Sequence, residues 1–207
     1  MDEKRASGLD PRAVVLVEGV SDRAAVEALA ERRGRNLEAD GVSVVPIGGA
    51  QAIGRYLHEF GPLGLDVKLA GLCDAAEEGH FRRALERAGL GSDLTRADME
   101  SLGFYVCDVD LEDELIRAVG APRVEEIIAS EGELGSFRTF QKQPWWRGRP
   151  LEGQFRRFLG THSGRKIRSA PLLVERLDPD RIPRPLARLL DHVERATRAQ
   201  GWGISGH

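Results

Sequence analysis

Ala13-Val14-Val15-Leu16-Val17-Glu18-Gly19-Val20-Ser21-Asp22 is the stretch that decides the fold. Five consecutive apolar residues, three of them valine, suit a strand buried on both faces of a parallel sheet. The run stops at a carboxylate, Glu18. Gly19-Val20-Ser21 makes a turn, and Ser21 is placed to cap a helix. Ala25, Val26, Leu29 and Ala30 then recur at helical spacing, with Arg and Glu between them, until Gly34 ends the helix. The stretch therefore reads as a strand, an acidic tip, a turn and a helix.

The same rhythm recurs down the chain. Residues 42–47 read as a strand, followed by Gly48-Gly49 and a helix through Ile53 and Leu57 to Phe60. Residues 67–73 read as a third strand, with a helix over about 77–88. Residues 91–102 are a polar connection. Residues 104–107 form a short fourth strand, and Leu111, Leu115, Ile116 and Val119 mark the next helix. Strands alternating with helices predict an α/β fold: a four-stranded, parallel, doubly wound sheet flanked by helices, with right-handed connections. After Gly120 the character changes. Residues 121–131 suit a short helix. Residues 163–199 are helical in pattern but broken by Pro171, Pro179, Pro183 and Pro185, and 201–207 read as a frayed end. The expected organisation is a core over 1–120 and a helical, basic extension over 121–207, packed together as one continuous unit.

Charge divides the chain in the same way. Residues 1–136 hold 15 Lys/Arg against 27 Asp/Glu, a balance of −12; residues 137–207 hold 15 against 6, a balance of +9. An acidic front joined to a basic back suits either two surfaces that pack on each other or a metal site beside a polyanion clasp. A hydrophobic content of 41% is enough for a packed core. No apolar run approaches the ~18 residues that cross a bilayer, and the charged start Met1-Asp2-Glu3-Lys4-Arg5 is unlike a signal peptide. Two cysteines, Cys73 and Cys107, exclude a disulfide framework and suit small buried side chains. The expected compartment is the reducing, magnesium-rich cytoplasm.

In an open parallel sheet, ligands bind beyond the carboxyl ends of the strands. Three predicted strands end there in acids: Glu18 with Asp22 one turn on, Asp74 with Glu77 and Glu78, and Asp108 and Asp110 with Glu112. The second strand ends in Gly48-Gly49, which leaves room for a ligand. Converging carboxylates repel unless a cation sits among them. Hard oxygen donors with no His or Cys set select Mg²⁺ or Mn²⁺ over zinc. The plainer alternative is that each acid caps or favours the dipole of the helix after it, as Asp22, Asp110 and Glu112 could. Glu18 fits that alternative least, because it lies at the end of the apolar run.

Val17-Glu18-Gly19-Val20-Ser21-Asp22 resembles the first motif of the Toprim domain, found in topoisomerases, primases and OLD-family (overcoming-lysogenisation-defect) nucleases. The Ser-Asp after the glycine, Asp110-Leu111-Glu112, and the lysine in Gly164-Arg165-Lys166-Ile167-Arg168 resemble the OLD type in particular. The resemblance implies a Toprim, Rossmann-like fold and a two-metal phosphoryl-transfer site. In it Glu18 and Asp22 help hold one ion, Asp74 and Glu112 complete the cluster, and Lys166 stands near the scissile phosphate. It also implies a nuclease that acts on nucleic acid, DNA before RNA. Two departures stand out. The family's second aspartate after the third strand is Ala76 here, so Glu77, Glu78 or Asp110 would have to substitute, or the second ion is held weakly. No Gly-x-x-x-x-Gly-Lys-Ser/Thr loop occurs in these residues, so the ATPase to which OLD nucleases are fused is expected to be absent or on another chain. The chain thus resembles a free-standing Toprim domain, with any ATPase on a separate chain.

From 137 to 168 the chain has nine basic residues and one acidic residue, Glu152, together with Phe137, Phe140, Trp145, Trp146, Phe155 and Phe158. Cations neutralise phosphates and rings stack on unpaired bases, so Lys142, Arg165, Lys166 and Arg168 are candidate nucleic-acid contacts. Phe155 and Phe158, at helical spacing, suit a small core instead; the tryptophans suit either. No base-reading helix is evident, so little sequence specificity is expected. The leading reading is a metal-dependent nuclease. The second is a catalytically weak nucleic-acid or partner-binding module, motivated by Ala76. The third is a receiver-like domain phosphorylated on Asp74, which leaves the basic segment without a role. A homodimer would widen the grip on a duplex.

Overall fold

The computed structural model describes residues 11–161 and 163–198. Four parallel strands form one sheet in the order β2-β1-β3-β4: β1 is Ala13–Val17, β2 Val42–Pro46, β3 Lys68–Asp74 and β4 Phe104–Cys107. Val15 pairs with Val44 on one side and Ala70 on the other, and Asp74 pairs with Cys107. Every residue of β1 is buried, as its unbroken apolar run requires. Gly71 in β3 leaves no room for a side chain: a Cβ there would lie 2.8 Å from the Phe104 ring and 2.9 Å from the Leu16 carbonyl oxygen.

Helices cover both faces. Val14 and Leu16 point into a core with Ile53, Leu57, Phe81, Leu85 and Met99, supplied by α2 (Ile53–Phe60), α3 (Glu78–Arg87) and α4 (Arg96–Ser101). Val15 and Val17 point the other way, into the larger core. That core holds α1 (Val20–Arg32), α5 (Leu111–Val119) and α6 (Ala121–Ser130), and it extends through the basic half of the chain: α7 (Leu134–Gln141), α8 (Leu151–Leu159), α9 (Ser163–Glu175) and α10 (Arg184–Arg198). α9 packs on α1, and α10 lies against β3 and β4. Arg32 fastens the halves by donating to the carbonyls of Val174 and Leu177, at 2.6 and 2.7 Å.

Three local readings change. The connection 91–102 contains α4, started by Thr95 and Asp98, each of which accepts the other's backbone N–H. Ser21 is not a cap: α1 starts at Val20, and Asp22 closes its first turn by accepting the Gly19 N–H at 2.8 Å. Pro171 sits inside α9 without ending it; the adjoining Leu173 and Val174 are fully buried, and that packing offsets the lost hydrogen bond. The real break falls at Pro179–Arg181, a single 3-10 turn before α10. Gly34, with φ 72°, does end α1. Residues 201–207 lie outside those described. Among the described residues, no helix is long and apolar enough to cross a membrane.

Candidate metal centre

The carboxyl edge of the sheet is built by short clasps between strand tips. The Glu18 carbonyl accepts N–H groups from Gly48 and Gly49, at 3.1 and 3.3 Å. Both glycines have positive φ, 76° and 110°, which lets the chain after β2 fold over the end of β1. The Glu18 side chain reaches the other way, and its Oε1 accepts the Asp74 N–H at 3.1 Å. Glu18 thus joins the tips of β1 and β3. Asp22 follows one turn into α1.

The five predicted acids divide by what else they do. Asp110 is buried and spoken for: its Oδ1 caps α5 by accepting the Asp113 N–H at 2.7 Å, and its Oδ2 accepts from Arg156 Nε at 2.7 Å. Asp22 also has a capping bond. Asp74 does not cap the 3-10 turn Ala75–Glu77 that follows it. Glu112, in the first turn of α5, is 8% exposed, and its Oε1 is buried with no hydrogen-bond partner among the described residues. Its Oε2 lies 3.7 Å from the Lys166 ammonium, delivered by α9. A buried carboxylate oxygen without a donor is costly unless a proton or cation meets it.

Electrostatics ties these groups into one neighbourhood. Burial raises the Asp74 carboxyl to about 7, helped by the charges of Glu18, Asp110 and Asp22. Burial likewise raises Glu112 to about 7, against the pull of Lys166. Glu18 and Asp22 are raised from the ordinary carboxylate range, again first by burial. Lys166 acts on all four. Asp22, Glu112, Lys166, Ser21 and Ser169 line one small cleft that opens to solvent. Among the described residues, no three His, Cys, Asp or Glu side chains already form a metal cage. The donor set nevertheless suits a hard divalent cation: it is all oxygen, crowded with like charge, and includes one orphaned acceptor. Burial raises both cysteine thiols well above their usual range, so neither offers a thiolate.

The possible substitutes at the third strand are engaged elsewhere. Arg96 binds Glu78, with Nε at 3.1 Å. Glu77 lies 2.9 Å from His80 Nδ1. Ala76 is exposed on the 3-10 turn between them and Asp74. The basic candidates also divide. Arg165 is turned inward, onto Glu133, the Phe158 carbonyl at 2.8 Å and the Phe158 ring at 4.1 Å. Arg168 is more exposed and faces Glu131 and Glu133. Lys142 is exposed. The residue that sequence reasoning missed is Arg156. Only its place in a basic stretch hinted at a role, and nothing in the sequence ties it to Asp110, 46 residues earlier.

Residues 11–75 match the family model described as overcoming lysogenization defect protein-like, Toprim domain. Among solved structures, the C-terminal region of the Burkholderia pseudomallei OLD protein is similar at 22% identity, over 91% of this chain and 100% of that one, with a TM-score of 0.69. The C-terminal region of the Xanthomonas campestris pv. campestris OLD protein is similar at 24% identity, over 92% and 95%, with a TM-score of 0.71. These identities establish a shared fold, including the helical half after residue 120. No curated protein matches the chain.

Proposed function

From the premise that this chain has the Toprim-type fold of the C-terminal region of OLD proteins, with an OLD-like Toprim domain at residues 11–75, we propose that it hydrolyses or transfers phosphodiesters of nucleic acid with Mg²⁺ or Mn²⁺. The observation that carries this reading is that Glu18, Asp22, Asp74 and Glu112 all feel the charge of Lys166 at one edge of the sheet, with one oxygen of Glu112 left unpartnered. Those four carboxylates would hold the cation. When bound, it would neutralise phosphate charge and lower the pKa of a coordinated water. Lys166 offsets negative charge developing on the phosphate. Arg156 holds Asp110, and so the start of α5, at the distance that presents Glu112 to the cleft. DNA is the expected substrate. A second copy of this chain is the expected partner, and any ATPase that works with it is expected on another chain.

The test is a metal titration that reads melting temperature and cleavage of plasmid and single strands in the same samples. Its pH dependence follows from Asp74 and Glu112. Each is raised to about 7 in the fold, whereas in the unfolded chain it ionises near 4. Between those values the folded state binds more protons than the unfolded one. Stability of the metal-free protein therefore falls as pH rises from about 4 to about 7. A cation must displace those protons, so the rise in melting temperature with Mn²⁺ should be larger at pH 8 than at pH 6. Glu112→Gln should flatten both trends. A metal response that is absent, or equal at the two pH values, would oppose a carboxylate site.

Ala76 and the open spacing of the acids favour a second reading, a nucleic-acid-binding module with weak catalysis. The two readings separate in Ala76→Asp. Restoring an acid on an exposed turn beside Asp74 should tighten Mn²⁺ binding about tenfold by calorimetry and raise cleavage. Tighter binding with no cleavage would select the binding module.

A further inference from the structure

The turn between α7 and α8 carries a surface that the metal centre does not use. Trp145 is 67% exposed, the most exposed of the large hydrophobic side chains described. The Arg149 guanidinium covers its ring at 4.1 Å from the centroid, and Arg149 Nε donates to the Trp145 carbonyl at 2.7 Å. Trp146 behaves differently: it stacks on Phe140 at 5.1 Å and anchors the turn to the core. Buried Gln154 pins the same turn from below. Its Nε2 donates to the Arg149 carbonyl at 2.6 Å and to the Trp146 carbonyl at 3.3 Å, while its Oε1 accepts from Gln141. An exposed tryptophan is thus held on a rigid turn, so little ordering would be needed for a ligand to use it.

The charges around it are also distinctive. Of the nine basic residues between 137 and 168, Arg138, Arg156, Arg165, Lys166 and Arg168 face carboxylates. Lys142, Arg147, Arg149 and Arg157 face none among the described residues, and all four are exposed. Three of the four lie within four residues of Trp145 in the chain: Lys142, whose carbonyl accepts from Arg147, Arg147 itself, and Arg149 on the ring, with exposed Glu152 as the opposing acid in the stretch. α8 connects this patch to the metal edge. From Leu151 to Arg156, which holds Asp110, is about 8 Å of helix rise.

We propose that Trp145 and Arg149, flanked by Lys142 and Arg147, form a stacking station for an unpaired base of single-stranded nucleic acid. This rests on the reading of the chain as a phosphodiester-cleaving protein, but it makes a separate demand. An exposed ring backed by a guanidinium offers a flat face to a base of any identity, and the surrounding cations meet the flanking phosphates. Duplex bases, already stacked on their neighbours, cannot reach the ring. The station therefore selects single strands, flaps or frayed ends and presents them to the carboxylate edge.

The experiment is anisotropy with a labelled oligothymidylate and a blunt duplex, in EDTA, using the full chain. The unmodified protein should prefer the single strand. Trp145→Ala should weaken single-strand binding about tenfold, with duplex binding and melting temperature unchanged, and Trp145→Phe should recover most of the loss. Equal losses on both probes, or no loss, would overturn the station and leave the patch as a surface for protein or for phosphate alone. Because EDTA removes turnover, the outcome is independent of catalysis. Trp145-dependent single-strand binding without any metal-dependent cleavage would sink the catalytic reading and keep the station. Cleavage of single strands with unchanged KM in Trp145→Ala would do the reverse.

Discussion

Glu18→Gln should yield a folded protein whose metal-dependent cleavage has fallen at least about a hundredfold. The reason lies in the two jobs of this side chain. Its Oε1 accepts the Asp74 N–H and so clasps β1 to β3; a glutamine oxygen can still accept that bond, though without the carboxylate's charge. Its charge sits among Asp22, Glu77 and Asp74, where it is useful only to a cation. The substitution separates fold from site. Removing one charge from a crowded group should also leave the metal-free protein at least as stable as before at pH 8, while the Mn²⁺-induced rise in melting temperature shrinks. Cleavage that survives unchanged in a clean preparation would remove Glu18 from the site. Cleavage lost together with a collapse in stability would mean that the clasp, not the charge, is what matters.

Phe137→Ala should cost about 3–5 kcal/mol of stability. Phe137 is fully buried, with ring centroids 5.0 Å from Phe155, 5.1 Å from Phe158 and 6.3 Å from Phe140. Phe137 is the centre of the aromatic cluster that joins α7 to α8, and these aromatics are continuous with the core under β1 and α1. Denaturant unfolding should keep a single transition and move to a lower midpoint at unchanged slope. A loss below about 1 kcal/mol would contradict the packing, and two separate transitions would show that the basic half folds as its own unit. The variant should also loosen the turn that carries Trp145, because Trp146 is fastened to Phe140.

Much of this protein was legible from local pattern. The apolar run 13–17 suited a strand buried on both faces, and the acids at 18, 74 and 110–112 fell where parallel strands end. The Thr95 and Asp98 pair that starts α4 was a readable signal inside a stretch taken as a connection. α7 and α8 were harder to see, because their periodicity is short and their aromatics suited either a core or a nucleic-acid surface. Propensity cannot choose between those fates; contact with Phe137 does.

By itself, the sequence determined the βα rhythm, the parallel sheet and the edge at which the carboxylates gather. Those follow from hydrophobic period and chain connectivity, which are local and one-dimensional. Only the tertiary structure decided how each charge is used. It turned Arg165 inward onto Glu133, set Arg156 against Asp110, buried Glu112 beside Lys166 and left Trp145 outside while Trp146 went in. The physical reason is that a charge or a ring has no fixed role until its partners are known, and these partners lie up to 54 residues away in the chain, the separation between Glu112 and Lys166.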